Sequence, residues 1–323
     1  MKLSPLLILG CLLSAPTCAL ADAFSFSTIT FPGAVFTDAQ GINNSDVIVG
    51  YYSTVGLNTD LQGFVDTNGV FSTIDVPGAV STLAEGINIA GDIVGLYSTG
   101  TAVEGFEYSG GTYTTITFPG CAPPTSGDIN CTGAYGINDS GTVVGQYSNS
   151  TGVHGFVDDN GTFRTTDVPG SAADGVFGIN NRGNFVGYYA DTKSGPLQGF
   201  LNSGGTYNAI NFAGAEQTAA IGINDRNVIV GNYQDSAGTE HGFLDISGAL
   251  STFDFPGPII QSEAYGVNDK LQIVGLYQDP SGIGYGYLAT PIMSAVPEPG
   301  ALSLFGFGLV GLALTFYRRN RQA

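Results

Sequence analysis

The chain has 323 residues, 43% of them hydrophobic and only 11% charged, with 27 acidic against nine basic side chains and a formal net charge of −18 at pH 7. Residues 22–296 carry twenty-six of the acids against only Arg164, Arg182, Lys193, Arg226 and Lys270, a net of −21. So acidic a body cannot neutralise phosphates, which excludes nucleic acid as a partner, and anionic lipid headgroups repel it; divalent cations and basic groups are the ligands its field favours.

The first twenty-one residues read as a secretory signal peptide: Lys2, an apolar stretch from Leu6 to Leu13, and Ala19-Leu20-Ala21 as a small-residue cleavage site between Ala21 and Asp22. Cys11 after Ile8-Leu9-Gly10 raises a lipoprotein alternative, which Leu9 and the short leading segment fit poorly.

Repetition dominates the stretch from 22 to 295. A Gly-Ile/Val-Asn triplet begins at Gly41, Gly86, Gly136, Gly178, Gly222 and Gly266, at intervals of 45, 50, 42, 44 and 44. Each unit holds four short apolar segments: the triplet itself, a Val-Gly-x-Tyr segment (Val49 to Tyr52), a Gly-Phe or Gly-Tyr segment (Gly63-Phe64), and an alternating run such as Phe71 to Gly78. Period-two alternation with β-branched and aromatic residues predicts strands, and no helical period competes with it. Four strands in about 44 residues is the size of one β-propeller blade.

The order of segments predicts closure. Phe26 to Gly33 is a fourth-type strand without its first three, and the last unit ends at Tyr287-Leu288 without a fourth. Pairing the two gives six complete blades and removes an open edge, so the expectation is an all-β, six-bladed propeller of four-stranded blades closed by the N-terminal strand. Columns such as Ile116 with Phe118, and Phe253 with Phe255, are expected to pack blade against blade, and the recurrent glycine of the second segment is expected to admit close approach between blades.

At the other end, Pro297-Glu298-Pro299 precedes an uncharged apolar run, 301–317, and then Arg318, Arg319 and Arg321. Seventeen helical residues span roughly 25 Å, enough for a short transmembrane helix, and the trailing arginines place the C-terminus in the cytoplasm and the body outside. Residues 296–323 resemble the PEP-CTERM sorting signal, which an exosortase in the inner membrane of Gram-negative bacteria recognises and removes. The resemblance implies a chain exported, held in the inner membrane and then processed to the cell surface or beyond, with the exosortase and export machinery as partners. Its association with extracellular polysaccharide comes from the same resemblance. The repeats themselves resemble HAF repeats, through Phe71 to Ala79 and His241-Gly242-Phe243-Leu244, with Phe212-Ala213-Gly214 departing from the usual Pro-Gly. That family is defined by its repeat and implies export, not a reaction.

Cys121 and Cys131 lie in the one long interval and are destined for an oxidising compartment, so a disulfide stapling an insertion is expected. Zinc would need two further ligands. No zinc-protease, nucleophile-elbow, phosphate-loop or EF-hand motif occurs. Asp158-Asp159-Asn160-Gly161 shares residue types with calcium loops but lacks their spacing and closing Glu, and reads as a hairpin turn. No cofactor or metal is therefore expected, Ca2+ being the one ion such turns would attract.

Longer, more variable loops join strands two and three and successive units, which puts both on one face. Two varying columns open toward it. The residue before each triplet is Gln40, Glu85, Tyr135, Phe177, Ile221 or Tyr265, and the residue before each Gly-Phe is Gln62, Glu104, His154, Gln198, His241 or Tyr285. Aromatic rings with acids and amides suit stacking on a sugar and hydrogen bonding to it, which makes Gln40, Glu85, Glu104, Tyr135, His154, Phe177, His241 and Tyr265 candidate ligand residues. The plainer alternative is that these are tolerant solvent-facing positions. The function expected is a non-catalytic binding or structural module; the rival is a secreted lyase or hydrolase using acids or the two histidines, with no catalytic pair selected by the sequence.

Overall fold

Alternating apolar residues set between glycine turns produce strands throughout. The computed structural model describes residues 23–56, 59–121 and 131–292, and these form strands β1 to β24 and no α-helix. The strands make six four-stranded antiparallel sheets. The first blade runs outward from β2 (Phe36–Ile42) through β3 (Val47–Ser53) and β4 (Gln62–Thr67) to β5 (Val70–Ile74). The next four follow the same order, beginning at Ser81–Ile87, Thr132–Ile137, Ala173–Ile179 and Gln217–Ile223.

The sixth blade takes three strands from the end of the repeats, β22 (Gln261–Val267), β23 (Ile273–Gln278) and β24 (Gly284–Pro291), and its outermost from the beginning, β1 (Phe24–Ile29). Register runs from Phe24 opposite Pro291 to Ile29 opposite Gly286. The ring is therefore closed as the segment order predicts. The closing strand stops at Ile29 because the chain turns at Pro32-Gly33, where Gly33 takes φ +83° and Ala34 donates to the Phe31 carbonyl.

Four of the six blade junctions share one device. Phe31 stacks on Tyr52 at 3.6 Å, Phe118 on Tyr147 at 3.7 Å, Phe212 on Tyr233 at 3.9 Å and Phe255 on Tyr277 at 3.8 Å, each ring following the outer strand of one blade and meeting the second strand of the next. Beside each stack a buried Thr37, Thr132, Thr218 or Ser262 hydroxyl accepts the backbone N–H of that phenylalanine. Between the sheets, Phe64, Phe106, Phe156, Phe200, Phe243 and Tyr287 are each at most 1% exposed. Burying one such ring contributes about 2–3 kcal/mol.

The glycines divide differently from the sequence expectation. A Cβ on Gly50, in the Val-Gly-x-Tyr segment, would strike the Asp38 carbonyl of the adjacent strand in its own blade. Close approach between blades belongs to the triplet glycine instead: a Cβ on Gly41 would lie 2.7 Å from the Glu85 carbonyl oxygen and 3.4 Å from the Gly86 Cα. Cys121 and Cys131 form the expected disulfide, with Cα atoms 5.5 Å apart. The expected signal peptide, 1–21, and the expected transmembrane helix, 301–317, fall outside the described residues, among which no helix is long and apolar enough to cross a membrane.

Candidate functional site at the propeller axis

The inner strand of every blade is bulged at the same place. Pairing with the second strand shifts register between Ala39 and Gly41, Ala84 and Gly86, Ala134 and Gly136, Val176 and Gly178, Ala220 and Gly222, and Ala264 and Gly266. The extra residues are Gln40, Glu85, Tyr135, Phe177, Ile221 and Tyr265, the whole first varying column. A bulged residue has no ladder partner and its strand twists, which re-aims the side chain. All six line one axial cavity of about 170 Å³. Ile42, Ile87, Ile137, Ile179, Ile223 and Val267 form its floor and separate it from a smaller cavity of about 70 Å³ at the short-turn end. The larger cavity thus lies on the loop-rich side.

That short-turn end is sealed by the asparagine of each triplet. Asn43 donates to the Asn88 carbonyl, Asn88 to Asn138, Asn138 to Asn180, Asn180 to Asn224, Asn224 to Asn268 and Asn268 back to Asn43, at 2.9 to 3.4 Å, so six side-chain amides make an unbroken ring. Each side-chain oxygen also serves its own turn, as where Asn138 Oδ1 accepts from the Ser140 and Thr142 backbone. One residue type is thereby required by two sets of partners.

Carboxylates gather about the axial cavity, and among the described residues no cation lines it. Glu85 is pushed up to about 8, first by burial and then by the charge of Asp38, and among the described residues no donor reaches its carboxylate. Asp38, 2% exposed, is pushed up to about 7 by burial and by Glu263; Tyr51 and Gln40 turn donors toward it, yet its Oδ1 atom is buried without a partner. Glu263 accepts from Tyr265 Oη at 2.6 Å, Gln261 Nε2 at 3.2 Å and Asn232 Nδ2 at 3.3 Å, and burial still raises it. Around the opposite wall Tyr135 accepts from Gln146 Nε2 at 3.1 Å, Tyr188 donates to Gln146 Oε1 at 3.1 Å, and the Tyr135 and Phe177 rings meet edge to face at 4.7 Å. The arrangement offers acceptors, hydroxyl and amide donors, and aromatic surface in a space sized for one small group.

The second column lies elsewhere. Gln62, Glu104, His154, Gln198, His241 and Tyr285 sit on third strands, each beside the tyrosine of the Val-Gly-x-Tyr segment, and none lines the axial cavity. Gln62 and Gln198 accept from Tyr52 and Tyr189 at 2.7 and 3.1 Å. The imidazoles of His154 and His241 stack on Tyr147 and Tyr233 and bond Asp167 and Asp254 through Nδ1 at 2.8 Å. Burial pulls His241 down, but hydrogen bonds and charge from Asp254 and Asp235 outweigh it and leave the ring raised. The columns are therefore two sets of positions, not one site. Asp38, Glu263, Tyr51, Gln146, Tyr188 and Asn232 are members of the axial array that the sequence reading omits, although each also varies beside a repeated residue. Asp158 to Gly161 form a hairpin turn in which Asp158 Oδ1 accepts from the Gly161 N–H at 2.7 Å, and no metal-binding cluster occurs among the described residues.

A model of the PEP-CTERM protein-sorting motif matches residues 295–320. The motif marks the chain as exported through an exosortase and membrane-anchored before processing. No curated protein matches the chain. Among solved structures, a mutant of AofleA from Arthrobotrys oligospora is similar at 11% identity and TM-score 0.51, with 82% of this chain and 86% of that one covered. TolB from Acinetobacter baumannii is similar at 13% and 0.52, covering 76% and 63%. SapL1 lectin in complex with alpha methyl fucoside is similar at 11% and 0.51, covering 81% and 98%. At such identities the likeness establishes the propeller fold alone.

Proposed function

We propose that this exported protein is a non-catalytic binding module of the cell envelope or extracellular matrix that takes the end of a polysaccharide chain into its axial cavity. The observation that carries the reading is the bulge repeated in all six blades, which turns the residues that differ most between repeats toward one concave space. At about 170 Å³ that space is smaller than the roughly 300–1,000 Å³ of drug-sized ligand pockets, which suits one sugar residue and not an internal stretch of polymer. Tyrosine hydroxyls, amides and carboxyls beside aromatic rings match the hydroxyls and the apolar face of a sugar ring. A lectin among the similar folds, in complex with alpha methyl fucoside, agrees with this reading without carrying it.

The rival, a secreted lyase or hydrolase, finds one observation in its favour: His154 Nε2 lies 2.7 Å from Thr151 Oγ1 while Nδ1 holds Asp167, a hydroxyl, an imidazole and a carboxylate in line. The equivalent His241 has Asp235 at 3.5 Å in place of the hydroxyl and the same kind of partner in Asp254, so the histidine and its Nδ1 aspartate recur where no nucleophile stands. That favours a strut tying loop to strand. The two readings separate when the full-length protein is titrated with a panel of neutral, acidic and basic oligosaccharides, and heat of binding and product release are followed together. Saturable binding without product, weakened by Tyr135→Ala and untouched by His154→Ala, is the expected result; product formation lost in His154→Ala overturns it.

A further inference from the structure

We propose that the axial cavity selects a glycan end carrying a free primary amino group, as an ammonium, over neutral or carboxylated ends. This rests on the glycan-binding reading above and narrows its ligand class. Glu85 lines the cavity and no described donor reaches it, while Asp38, outside the lining but close enough to raise Glu85, has a buried Oδ1 without a partner. Glu263 adds a third charge close to Asp38. Among the described residues no cation lines the cavity: Arg182, Arg226 and Lys270 occupy the short turns at the other end of the axis, and Arg164 and Lys193 are not in its wall. An unpaired carboxyl held among like charges persists at a penalty, and a positive group bound at Glu85 relieves it for the whole cluster through its charge.

The ligand chemistry follows from that deficit. An ammonium brings three donors and a positive charge that favours the ionised form of Glu85 and its neighbours, while a neutral hydroxyl satisfies acceptors but does nothing to offset the burial and like charge that raise Asp38, Glu85 and Glu263. A carboxylated sugar adds to that repulsion. Tyr135 and Phe177 line the same cavity and supply aromatic faces, which attract a desolvated cation. Gly133 and Gly175 stand where the first and last blades have Asp38 and Glu263, and a Cβ on them would lie 3.0 Å from the Tyr135 hydroxyl and 2.7 Å from the Tyr188 ring. The missing side chains thus make room for tyrosines, so the wall opposite the carboxylates is aromatic where it could have been charged.

The test compares three trimers of matched linkage, of glucosamine, of N-acetylglucosamine and of glucose, titrated calorimetrically into the full-length protein in nonionic micelles at a pH where the amine is protonated. The glucosamine trimer is expected to bind saturably and at least tenfold more tightly than the other two. Glu85→Gln, which keeps the shape of an unpartnered side chain, is expected to remove most of that preference, with Asp38→Asn as a second variant and thermal melts confirming that each folds. Exposed Asp60→Asn controls for the general attraction of an acidic body and is expected to change nothing. Equal or tighter binding of either uncharged trimer, or equal weakening by Glu85→Gln and Asp60→Asn, overturns the amino-group inference and leaves glycan binding standing. Absence of binding by any oligosaccharide of the wider panel overturns both.

Discussion

Replacing Asp38 by Asn tests the electrostatics of the axis directly. In an unfolded chain this carboxyl gives up its proton near 3.8, whereas in the folded ring burial and the charge of Glu263 hold it until about 7. Between those values the folded state keeps a proton that the unfolded state has lost, so stability falls as pH rises from about 4 to about 7 and is level beyond. Three units at 1.36 kcal/mol each set a ceiling of about 4 kcal/mol. Glu85 and Glu263 titrate with Asp38, so part of that quantity belongs to the group, and the share expected for Asp38 alone is about 2–3 kcal/mol. The amide of Asp38→Asn cannot ionise, and it can donate as well as accept beside Glu263. The variant should therefore be about 2–3 kcal/mol more stable than the parent at pH 8 and within about 1 kcal/mol of it at pH 4.5. Guanidinium unfolding at the two pH values measures both differences. An equal difference at both, or a variant weaker than the parent at pH 8, refutes the claim that a buried, strained charge stands there.

Three further outcomes follow from the ring. Asn138→Ala removes the bond to the Asn180 carbonyl and the acceptor for two turn amides and the Ser140 hydroxyl, four bonds at about 1 kcal/mol each, of which the hydroxyl can turn to water, so urea unfolding should show a loss of about 2–4 kcal/mol; a loss below about 1 kcal/mol would mean the amide ring is incidental. Tyr287 stands where the other blades have phenylalanine and its buried hydroxyl lacks a partner, so Tyr287→Phe should raise the melting temperature, by an amount corresponding to about 1 kcal/mol. Deleting residues 24–29 strips the outer strand from the sixth blade and removes the Phe24 and Phe26 rings that lie 5.0 and 5.5 Å from Phe253; the exposed edge of β24 should drive association, and a chromatographic profile matching the parent would contradict closure by this strand.

The ring was legible because its rules are local. Period-two alternation names strands, an Asn-Gly or Asp-Gly turn names a hairpin, and a fourth-type segment stranded at the front has one place to pair. The first varying column was legible for a different reason: Gln40, Glu85, Tyr135, Phe177 and Tyr265 change beside a triplet that does not. What turns them to the axis is a register shift, and a shift in pairing is a backbone property that no single letter marks. The same gap explains the omitted members. Asp38 and Glu263 stand two residues before the bulge and enter the array because the inner strand is displaced there, while Tyr51, Gln146, Tyr188 and Asn232 reach it from the adjacent strand, one place beyond a glycine whose close contact lies within its own blade. The second column shows the limit from the other side, since Gln62 and His154 vary as freely as Glu85 but contact the tyrosine of the neighbouring strand.

Repetition and variation are thus assigned to opposite ends of the same strand. Toward the short turns each inner strand ends in an asparagine bound both to its own turn and to the next blade, so a change in one repeat disturbs two and the letter stays fixed. A few residues earlier the bulge releases the side chain from the ladder and faces it toward empty space, where a change disturbs no sheet hydrogen bond. A chain built of near-copies can therefore differentiate its axis one residue at a time without loosening the ring. The unpartnered carboxyl of Glu85 stands at that bulge, with Asp38 two residues before the bulge of its own strand and neither in the amide ring, the distribution expected if the departures from the repeat serve a ligand and the repeat serves the fold.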